Sequence, residues 1–227
     1  MSAFHRVLDD VGSAIVAGTL PAGNVDSTDG LVERTGASRS IVREAVRVLV
    51  ALGMLSSGPR VGLRVLPAER WDVIDPLVIR WRLDGPDRPA ALADLRELRR
   101  AIEPAAAAAA ARVIGGSDGR RRPAPTCAPP PGVAVLAAAD RLRRAADAHD
   151  GDAFLAADRD LHGAVLSLSG NAMFARLQRV VEQALEERAG IGPDEHDVDL
   201  HGVLARAIAA GDADGAAAAM REVVDRT

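Results

Sequence analysis

The stretch "ASRSIVREAVRVLVALGML", residues 37–55, admits one local structure. Val42, Ala45, Val46 and Leu49 recur at i, i+3, i+4 and i+7, the spacing of a single buried stripe on a helix. Arg39, Arg43 and Arg47 fall one turn apart on the opposite face, with Ser40 beside them. Ser38 is a favoured residue for capping the first turn. Any fold of this chain must pack that helix by one face and leave a row of guanidinium groups in water.

The neighbouring residues extend the pattern. Val7, Leu8, Val11, Ile15 and Val16 form an earlier helical stripe that Gly18 stops, and Leu20-Pro21-Ala22-Gly23 is a turn. A short helix is expected over about Thr28 to Arg34, and Gly36-Ala37 then makes a tight turn into the arginine helix. "LSSGPRVGLRVLP" follows as two short strands around Gly58-Pro59-Arg60, a wing with Arg60 at its tip. The net charge is −4, yet six arginines and one acid, Glu44, lie between Arg34 and Arg64. A basic island on an acidic chain points to one nucleic-acid-binding module joined to something else. A helix fits the major groove of DNA, where arginine pairs with guanine or neutralises phosphate. The alternative is an ordinary solvated arginine face.

Beyond residue 70 composition becomes informative. Aromatic residues are only 2% of the chain and tyrosine is absent, so the core is built from Ala, Val and Leu, which favours packed helices over sheets. "ERWDVIDPLVIRWRLDGPD" is read as a linker over 71–88, its two tryptophans serving as apolar anchors at a domain junction. Helices are expected at about 89–113, 134–149, 151–169, 171–189, 197–210 and 212–225. Gly170-Asn171 and Gly211-Asp212 supply the stops and new caps. Short connections imply an antiparallel bundle. "GGSDGRRRPAPTCAPPPG", residues 115–132, cannot continue a helix and is read as a flexible loop or a frameshifted stretch of coding sequence. A single cysteine, Cys127, excludes an internal disulfide framework. With no apolar run of spanning length and no signal-peptide layout, the expectation is a soluble, cytoplasmic protein with no membrane partner.

"LPAG", "ASRSIVREAVRVLVALGML" and the glycine wing resemble the winged helix-turn-helix of the GntR superfamily of bacterial transcription regulators. "LRELRRAIEPAAAAAAA", "DRDLHGAVLSLSGN" and "LHGVLARAIAAGDADGAAAAMREVV" resemble the all-helical FCD-type effector domain of its FadR-like branch. The linker "WDVIDPLVIRW" is similar to galactonate-type, sugar-acid repressors. The implied fold is mainly α: a DNA-binding domain at 1–70 with three helices and a small β-wing, the linker at 71–88, and a helical effector-binding domain at 89–227. The implied DNA contacts are Ser38, Arg39, Ser40 and Arg43, with Arg47 and Arg60 added from the basic face and the wing. Many members have a serine-glutamate-arginine run opening the second helix. This chain has "STDG", so Asp29 stands near where an arginine would meet phosphate.

Asp158 and His162 lie one helical turn apart, and the resemblance makes them the first pair of a divalent metal site, of Zn, Ni or Mn, with His201 as third ligand. The fourth position falls on Val223, which coordinates nothing. Three outcomes stand open. The three residues hold a metal with open positions, or they bind effector directly without metal, or His196 swings in. Arg99 is implied to face a carboxylate effector; the alternative is a surface arginine paired with Glu103. The expected protein is a homodimeric, ligand-responsive repressor of a sugar-acid or organic-acid operon, binding a palindromic double-stranded operator and no enzyme. A metal-dependent enzyme using Asp158, His162 and His201, or a regulator with a degraded sensor, are the other readings.

Overall fold

The structure, a computed structural model, describes residues 1–58, 61–116, 131–187 and 194–226. Contacts divide the chain into Met1–Leu92 and Ala93–Thr227. As expected, the fold is mainly α: a winged helix-turn-helix precedes an all-helical bundle.

In the first unit, α1 (Ala3–Val16) buries Val7, Leu8, Val11 and Ile15. α2 (Thr28–Thr35) ends at Gly36, whose φ of +66° is a left-handed conformation that side chains with a Cβ adopt at a cost. Ser38 caps α3 (Arg39–Ala51), its hydroxyl accepting from the Ile41 N–H, and Val42, Ala45, Val46 and Leu49 are buried as the stripe requires. β2 (Leu55–Gly58) and β3 (Gly62–Val65) pair antiparallel to form the wing. A third strand, β1 (Val25–Asp26), adds to the other edge of β3, giving the order β1–β3–β2. Two residues are too few to show an alternating pattern, so β1 left no trace in the sequence. The expected wing tip, Pro59 and Arg60, lies outside the described residues.

The stretch expected to act as a linker contains a helix, α4 (Pro76–Asp84), capped by Asp75. Trp81 of α4 is buried in the same apolar cluster as α1 and α3, and its indole N–H donates to Asp9 Oδ1 at 3.0 Å. Gly12 of α1 makes room for the ring: a Cβ there would come within 2.6 Å of it. Val78, Ile79, Trp81 and Leu83 are all buried yet form no single helical stripe, which is why periodicity did not reveal α4. The core of this unit therefore extends past residue 70. Trp81→Ala is expected to lower its stability by about 3–5 kcal/mol, measured by denaturant unfolding.

The second unit holds α5 (Arg88–Ile114) from Ala93 onward, α6 (Pro131–Asp147), α7 (Gly151–Leu168), α8 (Ala172–Arg176), α9 (Gln178–Glu186), α10 (Glu195–Ala210) and α11 (Ala213–Asp225). Its core joins Leu142, Leu161, Leu166, Leu204 and Ile208 to alanines such as Ala106, Ala107, Ala110 and Ala111, small enough for helices to approach closely. Gly211, at φ +76°, ends α10, and Asp212 caps α11 through the Gly215 N–H. Two expectations are corrected. The single helix at 171–189 is broken at Leu177, whose N–H is shared between the Met173 and Phe174 carbonyls in a tightened turn. α6 starts at Pro131, inside the expected irregular loop. The rest of that loop, 117–130 with Cys127, lies outside the described residues. No described helix is long and apolar enough to cross a membrane.

Candidate metal centre and nucleic-acid interface

Helical periodicity brings Asp158 and His162 to one buried face of α7. His201 comes from α10, where Asp194 caps the first turn by accepting from the Asp197 N–H at 2.7 Å. The three side chains meet: one ligand atom from each lies within 4.8 Å of the others. His201 Nε2 stands 3.0 Å and His162 Nε2 3.5 Å from the same oxygen, Asp158 Oδ1. The two imidazoles are set edge-on, centroids 5.7 Å apart.

Arg99 and Glu103 of α5 complete the cluster. Arg99 Nε donates to Glu103 Oε1 at 2.6 Å, and Glu103 Oε2 is hydrogen-bonded to His162 Nδ1. All five residues are at most 2% exposed, so the surface position considered for Arg99 is corrected: it is interior. Glu103 was expected only as Arg99's partner. A signal existed, because Arg99, Glu103, Ala106, Ala107 and Ala110 share one helical stripe, and the alanines on it are core. His196, by contrast, is exposed in the first turn of α10, with Nε2 3.3 Å from Glu222 Oε1, and takes no part. Val223 is fully buried among apolar residues.

Electrostatics separate the two ends of the cluster. Burial is the largest influence on Glu103 and opposes its ionisation. The charges of His162 and Arg99 and their hydrogen bonds together outweigh it and hold the carboxyl below its ordinary value. Burial likewise opposes protonation of His201, but the hydrogen bond and charge of Asp158, with help from Asp197, raise it above the ordinary imidazole value. His201 Nδ1 donates to the Asp197 carbonyl at 2.7 Å.

The donor set fits a divalent ion. The Nε2 atoms of His162 and His201 are both buried and turned towards Asp158 Oδ1, while the Nδ1 atoms are occupied by Glu103 and by the Asp197 carbonyl. Metal-ligating histidines show this division, one nitrogen to the ion and the other to a fixed acceptor. Two imidazoles and a carboxylate suit zinc, nickel or manganese, and three protein donors leave positions for an outside oxygen ligand.

On the first unit, Ser38, Arg39, Ser40, Arg43 and Arg47 are all exposed. The hydroxyls of Ser38 and Ser40 lie 3.0 Å apart. Arg39 Nη2 is 2.5 Å from Asp29 Oδ1 of α2, a partner for Arg39 that the sequence did not suggest.

The chain thus joins a winged helix-turn-helix with an arginine face to a helical domain with a buried carboxylate–histidine cluster. The chain belongs to the FCD-domain family, whose model matches residues 94–226. It is 34% identical over 89 residues to the HTH-type transcriptional regulator YieP of Escherichia coli K12, a stretch covering 39% of this chain and 37% of that protein. It is 30% identical over 101 residues to the galactonate operon transcriptional repressor of the same organism, covering 44% of each. The chain thus matches less than half the length of these two proteins. Among solved structures, a GntR protein of Streptococcus agalactiae shares the fold with a TM-score of 0.52 and 20% identity, over 98% of both chains.

Proposed function

We propose that this protein is a ligand-responsive repressor that binds operator DNA through residues 1–70 and senses a small carboxylate through residues 89–227. The observation that carries this reading is the exposed row Arg39, Arg43 and Arg47 on α3, in one chain with an FCD domain. Ser38, Arg39, Ser40 and Arg43 reach base edges and phosphates from the start of the helix, with Arg47 and Arg60 on the flanking backbone. A homodimer presents two such helices to a palindromic site in the cytoplasm. Residues 71–88 join the two functions, α4 completing the first core.

In the sensor, Asp158, His162 and His201 hold a divalent ion. The ion, when bound, supplies an electrophilic centre whose remaining positions take an oxygen ligand such as a carboxylate. Arg99 contributes a cation to the same buried cluster. A sugar acid is the favoured effector because one relative is named a galactonate operon repressor. Effector binding changes operator affinity as a coupling between two sites. The test is a gel shift on DNA upstream of the protein's own gene, with a panel of sugar acids and added zinc, nickel or manganese. Absence of specific binding at low salt sinks the repressor assignment. Turnover of an acid by the metal-loaded protein moves it to an enzyme.

The pair between Asp29 and Arg39 gives a local prediction. Both side chains are more than half exposed, so Asp29→Asn changes stability by less than about 1 kcal/mol. It also removes a negative charge from the DNA-facing surface and releases Arg39. Binding to both operator and unrelated DNA is expected to tighten severalfold at low salt, read by fluorescence anisotropy. Unchanged or weaker binding places Arg39 away from the DNA.

A further inference from the structure

We propose that Glu103, anchored by Arg99, is the positioning residue that decides which nitrogen of His162 faces the metal centre. The proposal rests on the metal reading given above, but the feature that carries it belongs to the protein alone. The two oxygens of Glu103 are divided: Oε1 takes Arg99 Nε and Oε2 takes His162 Nδ1. An ionised carboxylate accepts only, so the proton in that contact sits on Nδ1. A neutral His162 then carries its lone pair on Nε2, the atom turned towards Asp158 Oδ1.

Arg99 is part of the device. A carboxylate as buried as Glu103 stays ionised in the interior only with a cation against it. Because Arg99 occupies Oε1, the imidazole is left with Oε2, and its ring plane is set by that choice. His201 is oriented differently, by the helix carbonyl of Asp197. A carbonyl is neutral and fixed by the backbone, whereas the Glu103 carboxylate is charged and held by side chains. At Nδ1, His162 is therefore held by a side chain, and through it by Arg99, whereas His201 is held there by the backbone.

The experiment uses the full chain with Glu103→Gln and Glu103→Asp. Glutamine keeps the size and can donate to Nδ1, which moves the His162 proton to Nε2. Long-range 1H–15N spectra of the metal-free protein, in mildly alkaline buffer, are expected to show the Nδ1–H form in the parent and in Glu103→Asp, and the Nε2–H form in Glu103→Gln. Zinc alone, titrated by calorimetry, is expected to bind Glu103→Gln about 10- to 100-fold more weakly than the parent, with Glu103→Asp in between. A merely structural role for Glu103 moves the melting temperature and leaves the tautomer unchanged. An Nε2–H parent, or equal zinc affinity in parent and Glu103→Gln, overturns the proposal, and the first needs no variant to fold. If the parent binds none of zinc, nickel or manganese, the metal reading fails by itself. The tautomer in the parent still decides what Glu103 does to His162.

Discussion

His201→Ala is expected to weaken zinc, nickel or manganese binding by more than about a hundredfold, measured by calorimetry. Loss of a partner outside the ligand set already costs about 10- to 100-fold, and His201 is one of the three donors that lie within 4.8 Å of one another among the described residues. Affinity unchanged in the variant removes His201 from the set. The same variant disturbs the metal-free protein, because the raised His201 cation faces Asp158 in the interior. Removing one partner of a buried pair typically costs about 3–5 kcal/mol. His201→Gln, which keeps a polar group, separates lost ligation from lost folding.

The pH dependence follows from the two shifted groups. His201 is raised, so its contribution to the metal-free fold is fully present below the ordinary imidazole value of 6.5 and disappears as pH rises through its raised folded value. Glu103 is lowered, so its contribution is present above the ordinary carboxyl value of 4.5 and disappears as pH falls through its lowered folded value. The two contributions coexist between these limits. Metal needs the proton gone from His201 Nε2, so metal affinity is expected to rise with pH across the range where the metal-free site loses stability. Calorimetry in buffers of different ionisation heat counts the released protons. Binding that is flat with pH contradicts a ligand role for His201.

Arg43→Ala is expected to weaken operator binding by about 1–3 kcal/mol, roughly 5- to 150-fold, and to relax preference at one base pair of each half-site. Arg43 is exposed on α3 one turn beyond the capped start, while Val42 and Val46 are buried and fix the helix in the core. A contact to phosphate instead weakens all sequences alike and lowers the salt slope by about one. Titrations on operator and scrambled DNA at several salt concentrations separate the two. No loss on either DNA takes Arg43 out of the interface.

Local periodicity made much of this legible. The stripe Val42, Ala45, Val46 and Leu49, the Ser38 cap and the Gly36 turn together specify α3 and its exposed arginines, since each depends on residues within a turn or two. Asp158 and His162 share a face for the same reason. α4 was hidden because Val78, Ile79, Trp81 and Leu83 are buried all round, so no stripe marks them. The break at Leu177 was hidden because the residues on both sides favour helix.

The sequence by itself determined the helices, their caps and the candidate ligands, because spacing along a helix sets which side chains share a face. Spacing alone could not place His201 beside Asp158, which only the family resemblance supplied, or Glu103 beside His162, because those pairs are separated by 43 and 59 residues and meet only when α5, α7 and α10 share a core. Burial then decided the chemistry. The interior holds Arg99 against Glu103, joins His162 to that pair, and makes Arg99 part of the buried cluster. In the first unit, packing likewise directs Trp81 onto Gly12, and Arg39 towards Asp29. These outcomes depend on which elements become neighbours, a property of the assembled core that no window of sequence contains.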